Sequence, residues 1–201
     1  MAFALWGRLL GARADDLIRM SAEDPLTGVL NARAFDRRLE QEVARVERTG
    51  QPLSLLMFDL DGLKTINDSY GHETGNRALR RMADIVRRSI RLTDVSARVG
   101  GDEFALIVPG AGGDEALKLA ERIRGQAAED LSRIAPGVDG GTTSIGIASC
   151  GSFERVPTPG ALARAADSAL YEAKRTGRNR VVVWRLGGSG DVFPRVDSGR
   201  P

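Results

Sequence analysis

The chain predicts a mixed α/β domain with one central sheet flanked by helices, on three observations. Short apolar runs alternate with amphipathic stretches of helical period. Leu53–Leu60 is a nearly continuous apolar run with Asp59 near its end, the pattern of a buried central strand. Two short runs, Ser96–Val99 and Phe104–Val108, flank Gly100 and Gly101 as the arms of a tight hairpin would.

The elements follow in order. Phe3, Trp6, Leu10, Arg13, Leu17 and Met20 recur at helical spacing, so residues 1–21 read as an N-terminal helix or linker. That helix either docks on its own domain or forms a short dimerising coil, whose seam Arg13 interrupts. The domain proper spans 22–186. Asn31–Thr49 is an amphipathic helix stopped by Gly50 and Pro52. The strand Leu53–Leu60 follows, then a helix over Gly75–Leu92 with arginines along one face. After the hairpin come a helix over Gly113–Glu129, a strand over Thr142–Ser149, a helix over Gly160–Thr176 and a last strand over Val181–Arg185. Residues 187–201 are rich in Gly, Ser and Pro and read as a disordered tail.

Composition narrows the function. The 201 residues suffice for one domain with a real core. The net charge is +2, and the arginines are scattered along helices, which is not a nucleic-acid footprint. No apolar run reaches the roughly 20 residues of a membrane span. The start carries Arg8 early and has no clear cleavage site, so it does not read as a signal peptide. Cys150 is the single cysteine, which excludes an internal disulfide and suits a reducing, cytoplasmic location.

The chemistry-bearing residues cluster at the hairpin and at the end of the central strand. Glycines at 100 and 101 allow backbone angles closed to other residues and close approach of a ligand. Asp102 and Glu103 follow them at the tip. With Asp59 they make an all-oxygen donor set suited to Mg²⁺ or Mn²⁺ held jointly with substrate phosphates. Taken singly, each of these acids could equally be a solvated loop residue.

The string Gly100-Gly101-Asp102-Glu103-Phe104 resembles the signature of the GGDEF family, the diguanylate cyclases. The run from Asp59 to Gly75 resembles the family's second signature, and Ala166 to Asn179 its last motif. Asp24-Pro25-Leu26-Thr27-Gly28 and Thr142-Thr143-Ser144-Ile145-Gly146 match two smaller ones, so the likeness covers residues 22 to 185. It implies a ferredoxin-like, palm-type nucleotidyl cyclase fold with the hairpin carrying the signature turn. It further implies that two GTP condense into cyclic di-GMP and two pyrophosphates across a homodimer. In this reading Asp59, the Leu60 carbonyl, Asp102 and Glu103 bind two Mg²⁺ or Mn²⁺ ions per site. Asp102 is the general base and Lys64 steadies phosphate. Asn67 and the residue at 76 read guanine, and His72 lies near the base. Lys174 and Arg178, four apart on one helix face, grip the β and γ phosphates. Without the likeness that pair reads as an ordinary solvated one.

One position departs from the family pattern: Asn76 stands where the family has Asp. A carboxylate accepts from both N1–H and N2–H of guanine, whereas an amide offers one acceptor and one donor. The amide matches the adenine edge at both points, and such matching discriminates by about 1–3 kcal/mol. The alternatives are therefore a weaker guanine site, a relaxed cyclase making mixed cyclic GMP-AMP, or a crippled enzyme serving as a cyclic di-GMP receptor. Arg91-Leu92-Thr93-Asp94 begins nine residues before Gly100, the spacing of the family's product-inhibition motif. Arg91, Asp94 and Arg122 are then the inhibitory site, although locally Arg91 and Asp94 also suit an ordinary helix end.

Overall fold

A computed structural model describes residues 22–137, 140–151, 156–186 and 192–196. The N-terminal helix expected over 1–21 lies outside them. The elements are β1 (Leu30–Asn31), α1 (Ala32–Thr49), β2 (Leu53–Asp61), α2 (Leu63–Tyr70), α3 (His72–Ser89), β3 (Val95–Arg98), β4 (Glu103–Pro109), α4 (Gly113–Ile134), β5 (Thr142–Cys150), α5 (Pro159–Arg175), β6 (Val181–Leu186) and β7 (Val192–Val196). The strands form one mixed sheet in the order β1-β3-β4-β2-β5-β6-β7. β2 sits at its centre, antiparallel to both β4 and β5, while β5 and β6 are parallel across the α5 crossover.

Helices cover both faces, and the alternation of β2 decides what each face receives. Leu56, Phe58 and Leu60 point into a core closed by Ile66, Leu79, Met82, Ile123 and Leu131 of α2, α3 and α4. Phe58 stacks on Phe104 of β4 at 5.7 Å between ring centroids. Leu53 and Leu55 face the other way, against Phe35, Leu39 and Val43 of α1 and Leu162 and Ala166 of α5. Period two therefore sends Asp59 and Asp61 to the face that α5 covers.

Gly146 of β5 allows α5 to lie directly on the sheet. A β-carbon there would stand 2.1 Å from Leu170 N and 2.3 Å from Ala166 O, both main-chain atoms that cannot swing away.

Several boundaries differ from expectation, each for a local reason. The second-signature segment holds a short helix of its own, α2, entered through Gly62 at φ 75°. It buries one residue, Ile66, too few to show as a periodic stripe. α3 begins at His72, because Gly71 at φ 83° breaks the chain there rather than at Gly75. It ends at Ser89, whose hydroxyl donates back to Ile85 O, and residues 91–94 form a separate turn. α4 runs on to Ile134, burying Leu131. The tail is corrected too: residues 192–196 pair antiparallel with 182–186 as edge strand β7. Val192, Phe193 and Val196 suit a strand, and an edge tolerates Pro194.

Gly146→Ala is expected to destabilise the fold by about 3 kcal/mol through overpacking against main chain. Gly101→Ala, whose β-carbon meets nothing within 4 Å, should change stability by less than about 0.5 kcal/mol. Urea denaturation of the two variants checks the contrast.

Candidate active site

The site forms where β2 ends. Asp59 is 6% exposed and lies opposite Glu103 in the β2–β4 ladder, so both side chains leave the sheet on one face. The Leu60 N–H donates to the main-chain oxygen of Asp102 at 3.1 Å, docking the hairpin tip on the strand end. Asp102 and Asp59 are close enough to repel electrostatically. Lys174, from the last turn of α5, places Nζ 2.7 Å from Asp59 Oδ2. Burial pushes the Asp59 carboxyl above the ordinary range; Lys174 opposes the rise, and Asp102 and Asp61 add to it.

The glycines of the hairpin serve a different end from the one expected. Neither Gly100 nor Gly101 adopts a positive φ. At Gly100 a β-carbon would lie 2.6 Å from Glu103 Oε2, so its absence makes room for the Glu103 side chain to fold over the loop. Gly101 faces open space. The loop is gripped from beneath by Arg98, whose Nη2 and Nε donate to Gly101 O at 2.6 and 3.2 Å. Arg98 Nη1 also reaches Asp24 in the turn that precedes β1, at 3.3 Å. Asp24 accepts from Thr27 N and Oγ1 as well. Burial alone would raise the Asp24 carboxyl, but Thr27 and Arg98 outweigh it and hold it below its usual value. Arg98 and Asp24 carry the architecture of the loop, and the sequence reading assigned them no role.

The base-side residues gather at the α2–α3 junction. Asn67 is half-buried, and its side-chain oxygen occupies the space a β-carbon on Gly75 would need, at 1.9 Å. Asn76 is one residue further on, half-buried in the first turns of α3. Glu73, three residues before it on the helix, is paired with Arg80 at 3.0 Å. His72 opens α3 and is exposed; Lys64 is exposed in the first turn of α2. Arg178, expected on one helix face with Lys174, instead lies beyond the end of α5 at Arg175, exposed and at φ 57°, because the helix stops before the glycine at 177.

Asp59, Asp102, Glu103 and Lys174 thus come together. Among the described residues, however, no three His, Cys, Asp or Glu side chains already converge as a metal cluster. Lys174, expected on phosphate, sits against Asp59 instead. Asp61, named in the sequence only as Asp59's neighbour, is the most heavily hydrogen-bonded carboxylate at this strand end: it accepts from Thr142, Ser144 and the Asn179 N–H. Two carboxylates two apart at the end of a buried strand were a signal that one of them is structural.

A second constellation lies on the α3–α4 side. Arg91, Asp94 and Arg122 line a cavity of about 250 Å³, together with Ser89 and Lys118. Asp94 is buried, and its Oδ2 accepts from Arg91 N at 2.8 Å, closing the turn. Arg122 Nη2 caps α3 at Ser89 O, 2.5 Å away.

Comparison with known proteins agrees with this geometry. The family described as "Diguanylate cyclase, GGDEF domain" matches residues 21–180. The chain is 41% identical over 163 residues to the diguanylate cyclase DosC of Escherichia coli K12, covering 81% of this chain and 35% of DosC. It is 36% identical over 168 residues to the response regulator PleD of Caulobacter vibrioides, covering 84% of this chain and 37% of PleD. The chain therefore spans about a third of the length of these curated relatives. Among solved structures, the GGDEF domain of DgcB from Caulobacter crescentus in complex with c-di-GMP superposes with a TM-score of 0.73 at 31% identity, covering 81% of this chain and 95% of that one. The active GGEEF domain of a Vibrio cholerae diguanylate cyclase gives 0.70 at 32% identity, covering 76% and 96%.

Asp24→Asn should cost about 1 kcal/mol at pH 7, because it weakens a half-exposed, hydrogen-bonded ion pair. The Asp24 carboxyl titrates lower in the folded chain than in the unfolded one, so its stabilisation is present above the unfolded value of 3.8. It is lost as pH falls through the folded value. Thermal melts of wild type and variant should therefore differ at pH 7 and converge as the pH falls below 3.8 and through the lower folded value.

Proposed function

The chain belongs to the GGDEF domain family, and on that premise we propose that it is the catalytic part of a diguanylate cyclase. Two copies, each holding one GTP, face each other. The 3′-hydroxyl oxygen of one nucleotide attacks the α-phosphorus of the other. A P–O bond forms, the α–β phosphoanhydride breaks, pyrophosphate leaves with the electron pair, and the hydroxyl proton passes to Asp102. The same step in the opposite sense closes the ring, giving cyclic di-GMP and two pyrophosphates. The observation that carries the reading is the hairpin tip docked on β2 through Leu60 N–H and Asp102 O, which sets Asp102 beside the buried Asp59.

The donor set fits Mg²⁺ or Mn²⁺. Asp59 has Asp102 and Asp61 as like-charged neighbours, an unfavourable grouping without a cation, and Lys174 supplies only one positive charge. Asp59, the Leu60 carbonyl, Asp102 and Glu103 would hold two ions, with substrate phosphates and water completing the shells. Such ions, when bound, neutralise the triphosphate and ease deprotonation of the hydroxyl. Lys64, Lys174 and Arg178 hold phosphate, and orientation within the dimer supplies the rest.

Asn67 and Asn76 take the base. The Asn76 amide has one oxygen that can accept from a guanine N–H, one acceptor fewer than the carboxylate the family has there, and Asn67 supplies the rest of the guanine contact. Arg91, Asp94 and Arg122 form the inhibitory pocket, where a guanidinium and a buried carboxylate can meet phosphate and the guanine edge of the product.

Products from GTP alone, ATP alone and an equal mixture, resolved by mass, test the reading. Cyclic di-GMP should dominate the mixture. A mixed GMP–AMP product would contradict guanine selectivity and make Asn76 the switch, with Asn76→Asp restoring it. Tight cyclic di-GMP binding without any product would make the chain a receptor.

A further inference from the structure

The second carboxylate of β2 has a different task from the first. Asp61 is 3% exposed, and both its oxygens are taken by neutral donors. Thr142 Oγ1 donates to Oδ2 at 2.8 Å, Ser144 Oγ to Oδ1 at 2.8 Å, and the Asn179 main-chain N–H to Oδ2 at 3.2 Å. Three donors thus fill most of the carboxylate's roughly four acceptor sites and fix its orientation.

The third donor reveals what the carboxylate controls. Asn179 closes a stretch in which Gly177, Arg178 and Asn179 all have positive φ, at 121°, 57° and 47°. For Arg178 this conformation is unfavourable, and it is tolerated better by Asn179, whose side chain suits the left-handed region. Something outside the turn must hold it. Arg178 N donates to Ala173 O at 3.0 Å, which ties the turn to its own helix. From α4, Arg124 Nη1 donates to Asn179 Oδ1 at 2.9 Å. Asp61 is the buried tie to an N–H within the turn itself, and the Ile145 N–H donates to the Arg180 carbonyl just beyond it.

We propose that Asp61 is a positioning residue: through the Asn179 N–H it locks the left-handed turn after α5 and so fixes where Arg178 meets the terminal phosphates. The inference rests on the phosphate role proposed above for Arg178. Asp59 and Asp61 then divide the strand end between them. One serves the reacting groups with Lys174, and the other sets the arm that follows one turn beyond Lys174.

Affinities for a non-reactive GTP analogue and for GMP, which lacks the β and γ phosphates, test this in Asp61→Asn, Arg178→Ala and the double variant. Asp61→Asn should weaken the analogue about tenfold, the scale of one charge-assisted hydrogen bond, and leave GMP unchanged. In the Arg178→Ala background the same change should add less than about twofold, since the two act through one contact. Equal loss for analogue and GMP, or an undiminished tenfold loss without Arg178, overturns the proposal. If Arg178→Ala itself binds both ligands like wild type, the phosphate role of Arg178 falls and the proposal falls with it. Asn179→Val keeps Asp61 and its hydroxyl partners but disfavours positive φ, so it should reproduce the analogue-selective loss. Where Asp61→Asn does not fold, Asn179→Val decides by the same two criteria.

Discussion

Two buried carboxylates stand at the end of a strand in which only Met57 is partly exposed, and the rest of the site answers to that. Asp59 and Asp61 are 6% and 3% exposed. An isolated buried charge is costly, so each must find partners. Asp61 finds three neutral donors and becomes part of the framework. Asp59 finds one lysine and remains short of positive charge, with Glu103 across the ladder and Asp102 nearby. That shortfall is what a metal–phosphate ligand can meet.

The neighbouring elements are arranged so that the partners arrive at the right place. Gly146 lets α5 approach β5 at main-chain distance, and the helix runs from there to Lys174 over Asp59. Gly100 clears space for Glu103, and Arg98 ties the loop to the turn that precedes the domain's first strand. One guanidinium thus bridges that turn and the loop that carries Asp102. The second cavity is built on the other helical layer, from the end of α3 and the face of α4. The same helix α4 supplies Arg122 there and Arg124 to the turn that holds Arg178.

Much of this was legible in the chain. The nearly continuous apolar run of β2 marked a strand buried on both faces, and Gly50 stands where the periodic pattern of the first helix stops. The site residues could be named because the motifs are ordered and correctly spaced. What escaped was set by tertiary contact. α2 buries Ile66 alone, so periodicity could not show it. β7 is an edge strand whose Gly- and Ser-rich surroundings masked Val192 and Phe193. The glycine at 100 answers to no positive backbone angle, and it lies against the Glu103 side chain. Asp61's task depends on Asn179, far away in sequence, and no local pattern joins them.

The central claim is that the carboxylate pair at the end of β2 and the docked hairpin form one cation-dependent nucleotide site. Diffraction at the manganese edge from crystals grown with Mn²⁺ and a non-reactive GTP analogue tests it most directly. The account predicts anomalous density bounded by Asp59, the Leu60 carbonyl and the Asp102–Glu103 loop, with Lys174 turned from Asp59 toward the phosphates. Bound analogue with no manganese within coordinating distance of Asp59, and Lys174 still paired to it, would contradict the account.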